Sequence, residues 1–263
     1  MAAPALHVEV HGPHAAPGVV LAHGFGGSAR NWRPQLRALR ARYRVVVYDA
    51  RGHARSEAPR EAAAYRREEL VADLLRVSLE SGDPRPVLGG LSLGAAVALR
   101  AALSHPERAR ALVLASPPAG PGAGHGFAAH AEAFAEAIER DGLEAAGARF
   151  VWGPESGLDP AGAKLVRQGF LEHSPHALAH LLRECLAKLE PGETLGLEAL
   201  RLPVLVVAGA RDPGSLAAGR ALAAALPAAE LVVIPDAGHV VNLAAPAAFD
   251  AALLGFLARL GPG

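Results

Sequence analysis

The reading of this chain turns on residues 87–103, Val87-Leu88-Gly89-Gly90-Leu91-Ser92-Leu93-Gly94-Ala95 and on to Leu103. Val87 to Gly90 is a short apolar run of strand character, and Ala95 to Leu103 has the Ala/Leu composition and spacing of a helix. Only a very sharp turn joins the two. At its apex stands Ser92, with glycines at 90 and 94, where a β-carbon would strike the neighbouring backbone. Such a turn lifts the serine hydroxyl above the sheet and aims the first amides of the helix at the same point. A glycine-rich turn with a serine helix cap is the plainer alternative. The strand before it and the helix after it argue instead for an activated hydroxyl.

The same alternation recurs on both sides. Val19 to Ala22, Val45 to Asp49, Ala111 to Ala115, Val204 to Ala208 and Leu231 to Ile234 are apolar runs closed by Gly, Asp or Ser, and most lead into stretches of helical spacing. Their apolar character is continuous, as in strands covered on both faces, which predicts a doubly wound α/β fold around a mostly parallel sheet. Leu6 to Val10 alternates more and suits an antiparallel edge, making about seven strands. The rhythm stops between Ser116 and Arg201, about 85 residues without a convincing strand, far beyond an ordinary crossover. Its Pro/Gly-rich start, Ser116 to Gly126, reads as a hinge or rim loop. Helical patterns follow at Ala129 to Arg140, Leu143 to Phe150, Ala161 to Glu172 and Pro175 to Leu189. The expected organisation is a core of residues 1–116 and 201–263 with a helical cap, residues 117–200, over the carboxyl ends of the strands, where open α/β sheets place ligands.

The 263 residues carry 26 basic and 26 acidic side chains and are 51% hydrophobic. That balance excludes a disordered chain. It also removes the basic footprint of a nucleic-acid or anionic-membrane binder, leaving a small molecule as the expected partner. Cys185 is the sole cysteine, so neither an internal disulfide nor a cysteine-based metal site is available. No run reaches the roughly 18 apolar residues of a membrane span, and Met1 to Glu9 lacks the basic start of a secretory signal, which reads as cytoplasmic.

A serine hydroxyl is a weak nucleophile until a base takes its proton, and histidine is the usual base. Of twelve histidines, His7, His11 and His14 lie in the amino-terminal segment, and His105 closes a helix before Pro106. His173, His176 and His180 fall on polar positions of the expected cap helices. His239 stands apart. It follows Leu231 to Ile234 through Pro235-Asp236-Ala237-Gly238 and so reaches the rim that carries Ser92. Asp212 reaches that rim through Gly209-Ala210-Arg211, and a carboxylate there holds the imidazole tautomer and stabilises its cation. A solvated loop histidine and a turn aspartate are the bland readings; three rim residues in the order Ser92, Asp212, His239 weigh against them. The run Val19 to Ala22 ends in His23-Gly24-Phe25-Gly26-Gly27-Ser28, whose backbone can approach a ligand closely. The amides of Phe25 and Leu93 are the candidate donors to an oxyanion, and His23 reads as a buried side chain that shapes the loop.

Together these segments resemble the α/β-hydrolase superfamily, in particular its small cofactor-independent members with a helical cap. The resemblance runs from about Leu6 to Leu260. It rests on His23-Gly24-Phe25-Gly26-Gly27, Asp49-Ala50-Arg51-Gly52-His53-Ala54-Arg55-Ser56, the turn at Ser92, Gly209-Ala210-Arg211-Asp212, and Ala237-Gly238-His239 with Pro246 and Phe249. Members usually have glycine at the position of Ala54 and often an additional first strand. The resemblance implies a Ser92–Asp212–His239 triad that hydrolyses a small carboxylic ester through an acyl-enzyme, without metal or organic cofactor. Ser92 argues against the haloalkane and epoxide hydrolases, whose nucleophile is aspartate. Val240 lacks the aromatic side chain that carbon–carbon bond hydrolases often place there. Lactonase, carbon–carbon bond hydrolase and haloperoxidase-like activities stay open as uses of the same triad, as does a non-catalytic ligand binder on this fold.

The expected pocket lining is Phe25, Leu93, Phe127, Phe134, Phe150, Trp152, Phe170 and Val240, with Trp32 assigned to packing. An apolar acyl or alcohol group follows from that lining. Arg51, Arg55, Arg149, Arg167 and Arg211 read as solvated surface side chains, or as a carboxylate site should one face the pocket.

Overall fold

The computed structural model describes residues 3–118, 126–153, 160–188 and 196–261. Seven strands form one sheet: β1 (Val8–His11), β2 (Gly18–Ala22), β3 (Arg44–Tyr48), β4 (Val87–Leu91), β5 (Ala111–Ala115), β6 (Val204–Gly209) and β7 (Ala229–Ile234). Their order across the sheet is β1-β3-β2-β4-β5-β6-β7. The pairing is parallel throughout except for the edge strand β1, which runs antiparallel to β3 with Val8 opposite Tyr48. The helices are α1 (Arg33–Leu39), α2 (Arg67–Ser78), α3 (Leu93–Ser104), α4 (Gly126–Phe150), α5 (Pro160–Phe170), α6 (Pro175–Glu184), α7 (Pro213–Ala225), α8 (Val241–Ala244) and α9 (Pro246–Arg259).

Alternate strand residues enter two different cores. Val19, Leu21, Val45 and Val47 pack with Trp32 and Leu36 on one face, together with Phe249 and Leu253 of α9. Val20, Ala22, Val46 and Tyr48 pack with Leu74 of α2, Ala98 of α3 and Leu222 of α7 on the other. A period of two between buried faces is what makes the strands read as continuous apolar runs. Trp32 is fully buried against Phe249, as its packing assignment requires.

Between β5 and β6 the described chain is helical: α4, α5 and α6. The patterns expected at 129–140 and 143–150 are two helices that meet in a kink at Gly142, whose φ of 80° and ψ of 172° only glycine adopts freely; together they make up α4. Much of the expected 116–126 hinge lies outside the described residues. Phe134 and Ile138 of α4, Phe170 of α5 and Leu178 of α6 belong to the same cluster as the β2, β4 and β5 side chains, so the insertion and the sheet share a core. No described helix is long and apolar enough to cross a membrane.

Arg51, read as solvated, and the three histidines placed on polar positions of the cap helices are tied inward. His173 is buried and accepts the Ala54 N–H at 2.8 Å. His176 Nε2 lies 3.1 Å from the Pro59 carbonyl, and the His180 ring packs at a tilt against Tyr65. Arg51 is 3% exposed; it pairs with Asp73 at 2.7 Å and donates to the Ala64 carbonyl. One ring nitrogen each of His173, in the turn before α6, and of His176, in α6, thus bonds a backbone group of the loop after β3.

Candidate active site

Ser92 joins β4 to α3 with φ 53° and ψ −113°, a conformation that costs a non-glycine residue about 1–3 kcal/mol. The surrounding glycines make it reachable. A β-carbon at Gly90 would lie 2.3 Å from the Gly94 carbonyl carbon, and one at Gly94 2.3 Å from the Ala22 oxygen. The Ser92 N–H bonds the Ala115 carbonyl at 2.9 Å, which ties the turn to β5.

His239, in the loop after β7, places Nε2 3.0 Å from Ser92 Oγ and Nδ1 2.6 Å from Asp212 Oδ2. Because a carboxylate only accepts, Nδ1 carries the proton and Nε2 turns its lone pair to the hydroxyl. Asp212 precedes α7 and accepts the Ser215 N–H at 3.2 Å on its other oxygen. Burial pushes the Asp212 carboxyl up, but hydrogen bonding and charge from His239, with the Ser215 bonds, outweigh it and hold its pKa at about 2. Ser215 Oγ also lies 3.2 Å from His239 Nδ1. Sequence reasoning missed Ser215, although Asp212-Pro213-Gly214-Ser215 has the spacing of a capped helix start.

The glycine loop after β2 runs beside Ser92. A β-carbon at Gly24 would lie 3.4 Å from Ser92 Cβ. The N–H groups of Phe25 and Leu93 bond no described residue, whereas those of Gly26 and Ser92 are taken. His53 Nε2 accepts the Gly26 N–H at 3.1 Å, and Asp49 accepts the Ala29 N–H at 2.8 Å. His23 donates to the Gly24 carbonyl at 2.7 Å and accepts the Ala50 N–H at 2.9 Å. Rings of His23, His53 and His173 stack edge to face at 4.8 and 4.9 Å. Burial lowers the pKa of all three, His23 to about 4, so each is a neutral acceptor of a backbone N–H. His53 was visible only as part of a motif, and His173 reaches the loop from far along the chain.

A cavity of about 1060 Å³ opens over Ser92 and His239, between the strand ends and α4 to α6. Phe25, Phe134, Phe150 and Val240 line it as expected. Leu93, Trp152 and Phe170 do not. The Leu93 side chain points into the core with 2% exposure, since the turn presents its amide and not its side chain to the site. Trp152 covers Gly147 and meets Phe170 edge-on, and Phe170 is fully buried with its ring against Gly26. The side chain of Phe127 lies outside the described residues. Of the remaining arginines, Arg55 pairs with Asp49, Arg149 lies over the Phe150 ring, Arg167 pairs with Glu144, and Arg211 lines the cavity while paired with Asp236. Among the described residues no group of three His, Cys, Asp or Glu side chains is placed to hold a metal ion.

A hydroxyl, an imidazole and an ionised carboxylate in hydrogen-bonded series can take a proton from the serine and return it to a departing group. A family model described as alpha/beta hydrolase fold matches residues 17–246. The chain is 34% identical to "Putative carbamate hydrolase RutD" of Variovorax paradoxus, over 98% of each chain. It is 28% identical to 3-oxoadipate enol-lactonase 1 of Acinetobacter baylyi, over 96% of this chain and 92% of that one. Among solved structures, a thermophilic esterase from Thermogutta terrifontis superimposes with a TM-score of 0.84 at 28% identity, covering 97% of this chain and 93% of the other. Matched over nearly its whole length by model, sequence and structure, this chain belongs to the alpha/beta hydrolase fold family.

Proposed function

We propose that this chain hydrolyses a small carboxylic ester through an acyl-enzyme, with Ser92 as nucleophile, His239 as base and acid, and Asp212 as the group that orients and charge-balances the imidazole. The observation that carries the reading is the unbroken series of 3.0 and 2.6 Å contacts from Ser92 through His239 to Asp212, set in the wall of a cavity. As Ser92 Oγ bonds to the carbonyl carbon, its proton passes to His239 Nε2 and the carbonyl electrons move onto oxygen. The free N–H groups of Phe25 and Leu93 receive that oxyanion; each such donor lowers the barrier by about 2.7–4 kcal/mol. Collapse expels the alkoxide, which takes the proton from His239. Water then repeats the sequence, releasing the acid and restoring the serine. No step calls on a metal.

The helices between β5 and β6 act in this reading as a cap over the acyl group, and the apolar side chains Phe25, Phe134 and Phe150 favour an apolar one. The relatives named as an esterase, a carbamate hydrolase and an enol-lactonase support acyl transfer to water as the common chemistry. The enol-lactonase favours a second reading, in which the ester is cyclic and the alcohol stays tethered after ring opening. Turnover of p-nitrophenyl butyrate by the purified protein, together with stoichiometric labelling of Ser92 by a fluorophosphonate, is expected. Ser92→Ala is expected to abolish both while the far-ultraviolet dichroism is unchanged. Activity that survives this substitution removes Ser92 from the mechanism.

A further inference from the structure

The cavity wall differs chemically from one end to the other. One end is an apolar wall of Phe25, Phe134, Phe150, Leu182 and Leu186. The other adjoins the segment that follows His239. There Val240 leads into α8, whose Asn242 donates to the Asn31 carbonyl at 2.9 Å and to Gln35 Oε1 at 3.1 Å. The start of α1 is therefore bound to the histidine's own loop, and it brings Arg33 to the cavity wall.

Three arginines line the cavity, and two of them are engaged. Arg30 and Glu172 both line the cavity and pair at 2.6 Å, Arg211 pairs with Asp236 at 2.6 Å, and Asp212 is held by His239. Arg33 is exposed, and its side chain has no hydrogen bond or ion pair among the described residues. It is the one arginine of the described cavity wall without a counter-charge.

Resting on the triad reading, the direction of the proton assigns the two ends. His239 Nε2 returns its proton to the departing oxygen, so the alcohol half of the ester leaves on the His239 side and the acyl half occupies the apolar end. We propose that the alcohol half carries a carboxylate that pairs with Arg33, making the substrate the ester of an apolar acid with a hydroxy acid. One unpaired guanidinium, a planar fork, balances one carboxylate bidentately. A phosphate dianion needs further cations, and Arg30 and Arg211 are already engaged. The site is open to solvent, so the preference is modest and sensitive to salt.

Butyryloxyacetate and butyryloxyacetamide differ only in the charge of the alcohol half and test the pairing directly. At low ionic strength kcat/KM is expected to be about fivefold higher for the anion, mainly through KM, with the ratio falling toward one in about 0.5 M salt. Arg33→Gln is expected to bring the ratio to about one, and Arg33→Lys to keep part of it, since the charge survives without the fork. Monoethyl succinate, which carries its carboxylate on the acyl half, is expected to be a poorer substrate than ethyl butyrate. Equal rates for the first pair in the unaltered protein, a preference that persists in Arg33→Gln, or a preference for monoethyl succinate overturns the assignment. Calorimetric binding of the uncleavable ether butoxyacetate to the Ser92→Ala protein, against butoxyacetamide, reads the same pairing without turnover. If no ester is cleaved, the triad reading falls by itself, and equal binding of the two ethers then sinks the role of Arg33 separately.

Discussion

Ala54 occupies a φ of 42°, backbone that glycine enters without cost and alanine does not. What holds it there is the 2.8 Å bond from its N–H to His173, reaching across 119 residues of sequence. Ala54→Gly should therefore stabilise the protein: relief of about 1–2 kcal/mol in the folded state exceeds the roughly 0.5–1 kcal/mol that glycine costs through the unfolded chain. A rise in Tm of about 1–3 °C is expected in thermal melts. A fall in Tm means that the left-handed conformation at this position carries no strain. The same bond explains which residues could be read from sequence. Ser92, Asp212 and His239 announce themselves because each is tied to a local pattern, a strand end followed by Gly, Pro or a helix start. His173 bonds a group that only the fold brings near, and nothing in its immediate sequence marks it.

At the scale of elements, the strands were legible because a strand buried on both faces has one signature, an unbroken apolar run. Helix faces were less so. Arg51, His173 and His176 carry polar side chains whose partners, Asp73, Ala54 and Pro59, lie on other elements, so local polarity does not say what they bond. The turn between α5 and α6 is the consequential case, because His173 joins it to the loop after β3, whose His53 in turn holds the Gly26 N–H beside the site. His23, His53 and His173 face one another, with Asp49, Glu172 and Arg30 nearby, and all three have folded pKa values below 6.5, the ordinary value. Below 6.5 the unfolded chain binds more protons than the folded one. Stability from this column is thus full above 6.5 and is lost as pH falls toward about 4, the value of His23. Each group adds up to about 1.4 kcal/mol per pH unit in that window. His173→Ala removes one of the three and orphans the Ala54 N–H, a loss of about 1–3 kcal/mol at neutral pH. Urea midpoints between pH 7 and 4 should fall less steeply in the variant; a slope equal to that of the parent refutes the column as the origin of acid sensitivity.

For the whole molecule the question is whether the insertion folds with the sheet or apart from it. The ion pair across the cavity, Arg30 with Glu172, is half exposed and contributes about 0–1 kcal/mol, too little to couple two bodies. Apolar contact is the stronger coupling. Phe170 is fully buried in the cluster that contains β2, β4 and β5, and its ring fills the space a β-carbon at Gly26 would occupy. The β-strands themselves form the common wall of both clusters, since their alternate residues enter each. The chain's two tryptophans report the two sides: Trp32 lies in the cluster with α9, and Trp152 packs against the cluster that holds the insertion. In Trp152→Phe and Trp32→Phe, each retaining one reporter, fluorescence should show single urea transitions with coincident midpoints. Adding Phe170→Ala, a cavity-forming change of about 3–5 kcal/mol, should shift both midpoints together, including that of Trp32 on the far side of the sheet. A shift confined to Trp152 means that α4 to α6 unfold as a separate unit and that the shared core is a contact surface between two of them.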